Sequence, residues 1–172
     1  MISYKLYEYR QQILDRMDKY HVVTDPSQYY KLVDLYAKLI DEEHAELNEA
    51  KDNKFPLDHI IKEVIDLYWV SVWYWYWKVL TTGNEDHPDI LRVRIIEDNF
   101  MYLSDTVLLY KCLDAVIASN NTKIVPDHTI PSYDPTQKIQ KWPNYVAPDL
   151  KSIINEHVKA EMKSFQDTNG EA

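Results

Sequence analysis

Five acidic residues at helical spacing are the first in this chain that could do chemistry. Glu42, Glu43 and Glu46 fall in the run EEHAE, and Glu63 and Asp66 fall in EVID, with sixteen residues between the two clusters. On a helix, Glu43 and Glu46 share one face at i, i+3, as do Glu63 and Asp66. Such pairs are common on solvated surfaces, so spacing alone says little. The flanking residues say more. Helical steps back from Glu43 meet Ile40, Leu39 and Tyr36, and steps forward meet Leu47 and Ala50. Glu63 and Asp66 likewise share a line with Ile60, Val70, Trp73 and Trp77. The acids interrupt faces that should be buried, where several like charges cannot all stay ionised without compensation. Basic partners, protonation or bound cations could supply it. By helical counting Lys62 lies on a different face from Glu63 and Asp66. Hard oxygen ligands from two neighbouring helices, by contrast, suit magnesium or manganese. On the residues alone, a metal site and a structural ion-pair network both stand.

The elements that must position these acids can be read from composition and periodicity. At 172 residues with 45% hydrophobic content, the chain can bury one core and is short for two. Two glycines in the whole chain and long proline-free stretches suit helices, which predicts an all-α class. A first helix is expected over residues 3–20, with Leu6, Ile13 and Met17 apolar. A second starts at Asp25 as N-cap with Pro26 behind it and runs to about Lys51, burying Leu32, Tyr36, Leu39, Ile40 and Leu47. After a turn over residues 52–56, Asp58 is expected to cap a third helix that reaches Leu80 and stops at Gly83. The second and third helices then form an antiparallel hairpin that brings the two acidic clusters together. From Pro88 a helical pattern continues to about Ser119, with a break at 98–99 or 104–105. Residues 120–148 carry five prolines and no helical period, a connection long enough to suggest a function. The final helix has Pro148 and Asp149 in its first turn and Leu150, Ile153, Ile154, Val158 and Met162 on one stripe.

Bulk properties restrict the partners. A net charge of -9 disfavours a basic nucleic-acid face, although a small anionic substrate remains open if cations mediate it. The single cysteine, Cys112, cannot form an internal disulfide and lies on an apolar face, and Met-Ile-Ser-Tyr-Lys is not an apolar signal segment. Both point to the cytoplasm. The aromatic run Leu67–Trp77 is about half of the roughly 20 residues needed to cross a bilayer, so no membrane partner is expected. Its density of Trp and Tyr predicts core or a subunit interface. His44 points away from the Glu43 stripe and is expected at the surface, and His21, His59, His87, His128 and His157 are expected at the surface or in caps.

EExxE at Glu42, Glu43 and Glu46 followed by ExxD at Glu63 and Asp66 resembles the signature of the all-α NTP pyrophosphohydrolases, the superfamily of MazG, dimeric dUTPases and phosphoribosyl-ATP pyrophosphohydrolase. Ser119-Asn120-Asn121-Thr122-Lys123 is similar to the SNxSK segment of a MazG-like branch frequent in phages. Lys138, Lys141, Asn144-Tyr145 and Pro148-Asp149-Leu150 resemble that branch's tail.

The resemblance implies a single all-α domain over residues 1–172, a helical bundle with core 25–119, a nucleotide-binding loop 120–148 and a C-terminal helix 149–165. It also implies hydrolysis of a nucleoside or deoxynucleoside triphosphate to the monophosphate and pyrophosphate, as housecleaning or pool shaping. Two to three Mg2+ ions, replaceable by Mn2+, would be held by Glu43, Glu46, Glu63 and Asp66, with Glu42 completing the shell or acting as general base. Asn120 and Lys123 would contact phosphate or sugar, and Lys138 and Lys141 would add positive charge. Tyr145, beside those lysines, is the expected base-stacking residue. A homodimer or homotetramer in a bacterial or phage-infected cytoplasm completes the picture. Two alternatives stand beside it: hydrolysis of phosphoribosyl-ATP, and a non-catalytic helical interaction protein whose acids form salt bridges.

Overall fold

A computed structural model describes residues 4–23, 25–84, 106–123, 134, 136, 138 and 145–169. Every regular element among them is a helix: α1 Tyr4–Tyr20, α2 Gln28–Asp52, α3 Leu57–Thr82, α4 Thr106–Asn120 and α5 Leu150–Asn169. The expected all-α class is therefore met among the described residues. The predicted break at 98–99 or 104–105 concerns residues outside them, beyond the start of α4 at Thr106.

The α2–α3 hairpin forms as expected, and its turn is closed by backbone hydrogen bonds. Phe55 N–H donates to Ala50 O at 2.9 Å and Lys54 N–H to Lys51 O at 3.1 Å, the double bond pattern of a Schellman ending. That ending needs a left-handed residue. Lys54 takes it, at φ 54°, although glycine adopts this conformation more readily. At its far end α3 stops where expected, with Gly83 at φ 62° and its N–H on Val79 O at 2.8 Å.

Two helix starts differ from expectation. Pro56, not Asp58, occupies the N-cap of α3, and its carbonyl accepts from His59 and Ile60 at 3.0 and 3.1 Å. Asp58 lies within the first turn, where a negative charge favours the helix dipole. Asp149 precedes α5 instead of lying inside it, and its carboxylate caps the helix by accepting Ser152 N–H at 3.1 Å. Asp25 does organise the entry to α2, through Ser27 N–H at 2.9 Å and Ser27 Oγ at 2.7 Å, and α2 begins after Ser27.

Helix α3 is the centre of the packing, in contact with α1, α2, α4 and α5. Most of its aromatic run is buried: Tyr68, Trp69, Trp73, Tyr74 and Trp77 are core, Trp75 and Tyr76 are half-buried, and Trp77 Nε1 has no hydrogen-bond partner among the described residues. Trp73 donates its Nε1–H to Ile13 O at 3.2 Å and packs edge-on to Tyr36 with centroids 5.2 Å apart, so its truncation to alanine would cost about 3–5 kcal/mol. Cys112 is fully buried, as expected, and burial pushes its thiol up to about 11. The α5 stripe is buried only at its start. Leu150 and Ile154 are core, while Val158 and Met162 are 46% and 60% exposed. No helix of the described residues is long and apolar enough to cross a membrane.

Candidate functional site

The hairpin turn fixes the register of α2 against α3, and that register sets Glu43 opposite Glu63 and Asp66. One carboxylate oxygen from each of the three lies within 4.8 Å of the others. Glu63 is only 2% exposed, and Glu43 and Asp66 are half-buried. Glu63 therefore carries the sharpest electrostatic problem. Its Oε1 meets Lys62 Nζ at 2.9 Å and His59 Nε2 at 3.4 Å, whereas its Oε2 is buried with no hydrogen-bond partner among the described residues. A buried, unpartnered carboxylate oxygen costs on the order of several kcal/mol unless something cationic or a proton reaches it. The donor set around it, three carboxylates with no nitrogen or sulfur, fits magnesium or manganese better than zinc or copper.

Glu43 responds to the same crowding. Burial, then the charges of Asp66 and Glu46, push its carboxyl up to about 7 despite the opposing pull of Lys62. Burial and then the charge of Glu63 also raise the Glu46 carboxyl. Glu46 lines the same cleft but stands outside the close trio, with Glu42, on the more exposed side of α2.

Lys62 corrects the sequence reading. Lys62 and Asp66 stand at i, i+4 and so are neighbours on one face of the helix, and Nζ reaches Asp66 Oδ2 at 2.8 Å and Glu63 Oε1 at 2.9 Å. Burial disfavours its charge, but Asp66 and then Glu63 more than offset that and hold its pKa above the ordinary lysine value.

The cleft over these acids has a volume of about 210 Å³ and gathers residues far apart in sequence. Glu42, Glu43 and Glu46 come from α2, Lys62 and Asp66 from α3, Asn120 from the end of α4, and Lys123 and Lys138 from beyond it. Lys138 donates to Glu42 Oε1 at 2.8 Å across the open side. The 119–123 segment is held in place from two directions. Tyr20 OH at the end of α1 donates to the carbonyls of Asn120 and Lys123, both at 3.1 Å. Ser119 Oγ donates to Val146 O at 2.5 Å, and Val146 N–H donates to Thr122 Oγ1 at 3.1 Å. Asn120 is 3% exposed, and Lys123 Nζ stands 5.9 Å from the ring centroid of half-buried Tyr145. Of the expected site residues, Glu42, Glu43, Glu46, Asp66, Asn120, Lys123 and Lys138 line one cleft, with Glu63 in the carboxylate trio and Tyr145 beside Lys123. Lys141 lies outside the described residues.

The apolar wall of the cleft was not expected as such. Tyr36, Leu39, Trp69, Val70 and Trp73, read from sequence as core, also line it. Behind Tyr36 lies His21, which belongs neither to the surface nor to a cap: it is 4% exposed and within 2.6 Å of the Tyr36 hydroxyl, edge-on to Trp73 and Trp77. His157 is also buried, at 6% exposure, while His44 is exposed as expected and bonds Asn48 at 3.1 Å. A lone histidine in a short connection has no periodicity from which burial could be read. Comparison with protein-family models, with curated proteins and with solved structures gave no match to this chain.

Proposed function

We propose that this chain is a divalent-cation-dependent nucleotide pyrophosphohydrolase that converts a nucleoside or deoxynucleoside triphosphate to the monophosphate and pyrophosphate. The observation that carries the reading is Glu63: a buried carboxylate with an unpartnered oxygen, grouped with Glu43 and Asp66, at a cleft that also holds Lys123 and Lys138. Glu43, Glu63 and Asp66 would hold magnesium or manganese, with Glu46 able to join from the cleft wall. Bound there, such cations neutralise phosphate charge and make water a better nucleophile near neutral pH.

The remaining residues have separable tasks. Glu42, exposed and loosely held by Lys138, accepts the proton of the attacking water or completes the cation shell. Lys123 and Lys138 face the charge that accumulates on the leaving pyrophosphate. Trp69, backed by buried Tyr36 and Trp73, edges the apolar wall of the cleft, and Tyr145 beside Lys123 offers a stacking surface for a base. The acidic spacing and the SNNTK segment support membership of the all-α NTP pyrophosphohydrolase superfamily, and with it a homodimer or homotetramer. Light scattering that returned a 20.5 kDa monomer would count against that assembly.

One observation favours a second reading. Lys62 already bridges Glu63 and Asp66, as a structural ion-pair network would require. A panel of the eight common (d)NTPs and phosphoribosyl-ATP, with magnesium and products identified by phosphorus NMR, separates the readings. Monophosphate and pyrophosphate from one or more (d)NTPs are expected. Turnover of phosphoribosyl-ATP alone would replace the substrate assignment, and no turnover would leave the network reading.

A further inference from the structure

Among the described residues, Lys62 is the lysine seated on the carboxylate trio. Its ammonium sits at 2.9 Å from Glu63 Oε1 and 2.8 Å from Asp66 Oδ2, so it spans two of the three groups that face one another within 4.8 Å. Its side chain is 34% exposed and lines the open cleft, whereas Glu63 is buried on a helix packed on several sides. Glu63, with a side chain only 3% exposed, has less room to move than the ammonium. The four-carbon stem of Lys62 can swing toward the cleft without moving α3.

The charges give this mobility a purpose. Without a divalent cation, Glu63 and Asp66 would repel each other and Glu43 in a partly desolvated site, and a single positive charge at their midpoint offsets part of that repulsion. Lys62 cannot satisfy all the oxygens, because Glu63 Oε2 stays without a partner beside it. A divalent cation carries twice the charge and accepts more oxygen ligands than an ammonium can donate to. The two cannot share the same oxygens at full strength.

We propose that Lys62 is a resident counter-ion: its ammonium holds Glu63 and Asp66 in place in the cation-free protein and is displaced toward the cleft when a divalent cation binds. The inference rests on the metal reading of this site. It makes cation loading a competition, so the protein trades affinity for a site that stays assembled when empty. The displaced ammonium remains tethered over the cleft, where an anionic phosphate would meet it.

Calorimetric titration of the full chain with Mn2+ tests this, using wild type, Lys62→Met, Lys62→Gln and Lys62→Arg, with Lys138→Met as a control that removes an equal charge from the same cleft. Removing the competitor should tighten Mn2+ binding in Lys62→Met and Lys62→Gln by about tenfold or more, with a much smaller gain in Lys138→Met and none in Lys62→Arg. Thermal unfolding gives a second readout: the Met and Gln variants should melt lower than wild type without Mn2+ and recover most of the difference when it is added. Lys62→Gln keeps a donor for Asp66, which protects the test if Lys62→Met folds poorly. Unchanged or weaker binding in both neutral variants would overturn the proposal while leaving the cation site standing, as would an equal gain in Lys138→Met. Absence of Mn2+ binding in every protein, each folded, would instead remove the metal reading and this proposal with it. Binding by the neutral variants alone would support it.

Discussion

Glu43 and Glu63 share the same crowded site and relieve it differently. Glu63 has Lys62 and His59 on one oxygen and no hydrogen-bond partner on the other among the described residues, where a protonated Glu46 could donate, while Glu43 is pushed up to about 7, chiefly by burial and then by Asp66. The pH consequence has a definite sign. A carboxyl raised from 4.5 to about 7 binds a proton more tightly in the folded chain, so its contribution is complete below pH 4.5 and is lost as pH rises through about 7. Cation-free protein should therefore lose stability across that window. Urea midpoints measured from pH 4.5 to 8 should fall less steeply in Glu43→Gln, and an unchanged slope would show that Glu43 does not titrate there. Divalent cations compete with that proton, so their affinity should rise with pH up to about 7. The acids were legible in the sequence because they interrupt apolar stripes. The Lys62–Asp66 pair was legible too, since the two stand at i, i+4, and placing Lys62 on a different face was a miscount; only its contact with the adjacent Glu63 depends on the reach of the lysine stem. His21 was invisible for another reason: its burial depends on α1 ending beside Tyr36 and Trp73.

Among the elements, the α2–α3 hairpin matters most, since a shift of one residue between the helices would separate Glu43 from Glu63 and Asp66. Its turn carries a conformational cost at Lys54, a non-glycine residue at φ 54° in a Schellman ending. Lys54→Gly should stabilise the protein by about 1 kcal/mol without altering activity, as read from a rise in the urea midpoint at constant slope. A lower midpoint would mean that the Lys54 side chain contributes something the turn geometry does not reveal. The hairpin itself was readable, because Leu32, Tyr36, Leu39, Ile40 and Leu47 recur at helical spacing and are all buried. Helix caps were less readable. Asp58, expected as a cap, lies in the first turn, whereas Asp149, expected in the first turn, is the cap, and the choice between a residue and its neighbour depends on where Pro56 and Pro148 place the preceding chain. The convergence of Asn120 and Lys123 on the acids could be anticipated only through resemblance, since it depends on Tyr20 tying the end of α1 to the end of α4.

For the whole molecule, net charge is the governing fact. A chain of charge -9 that gathers Glu42, Glu43, Glu46, Glu63 and Asp66 around one cleft repels a triphosphate over any distance at which salt does not screen it. Among the described residues, Lys62, Lys123 and Lys138 face five carboxylates, a balance that added cations would improve for an anionic substrate. The core that supports the cleft is built around α3, whose aromatic run packs against α1, α2 and α4. Electron paramagnetic resonance of Mn2+ titrated into the protein reads whether the carboxylate trio holds divalent cations. Two to three bound Mn2+ per chain are expected in the wild type, displaced by excess Mg2+, with binding sharply weakened in both Glu63→Gln and Asp66→Asn. Free Mn2+ at every protein concentration, or equal binding by the folded variants, would mean that these carboxylates hold no divalent cation.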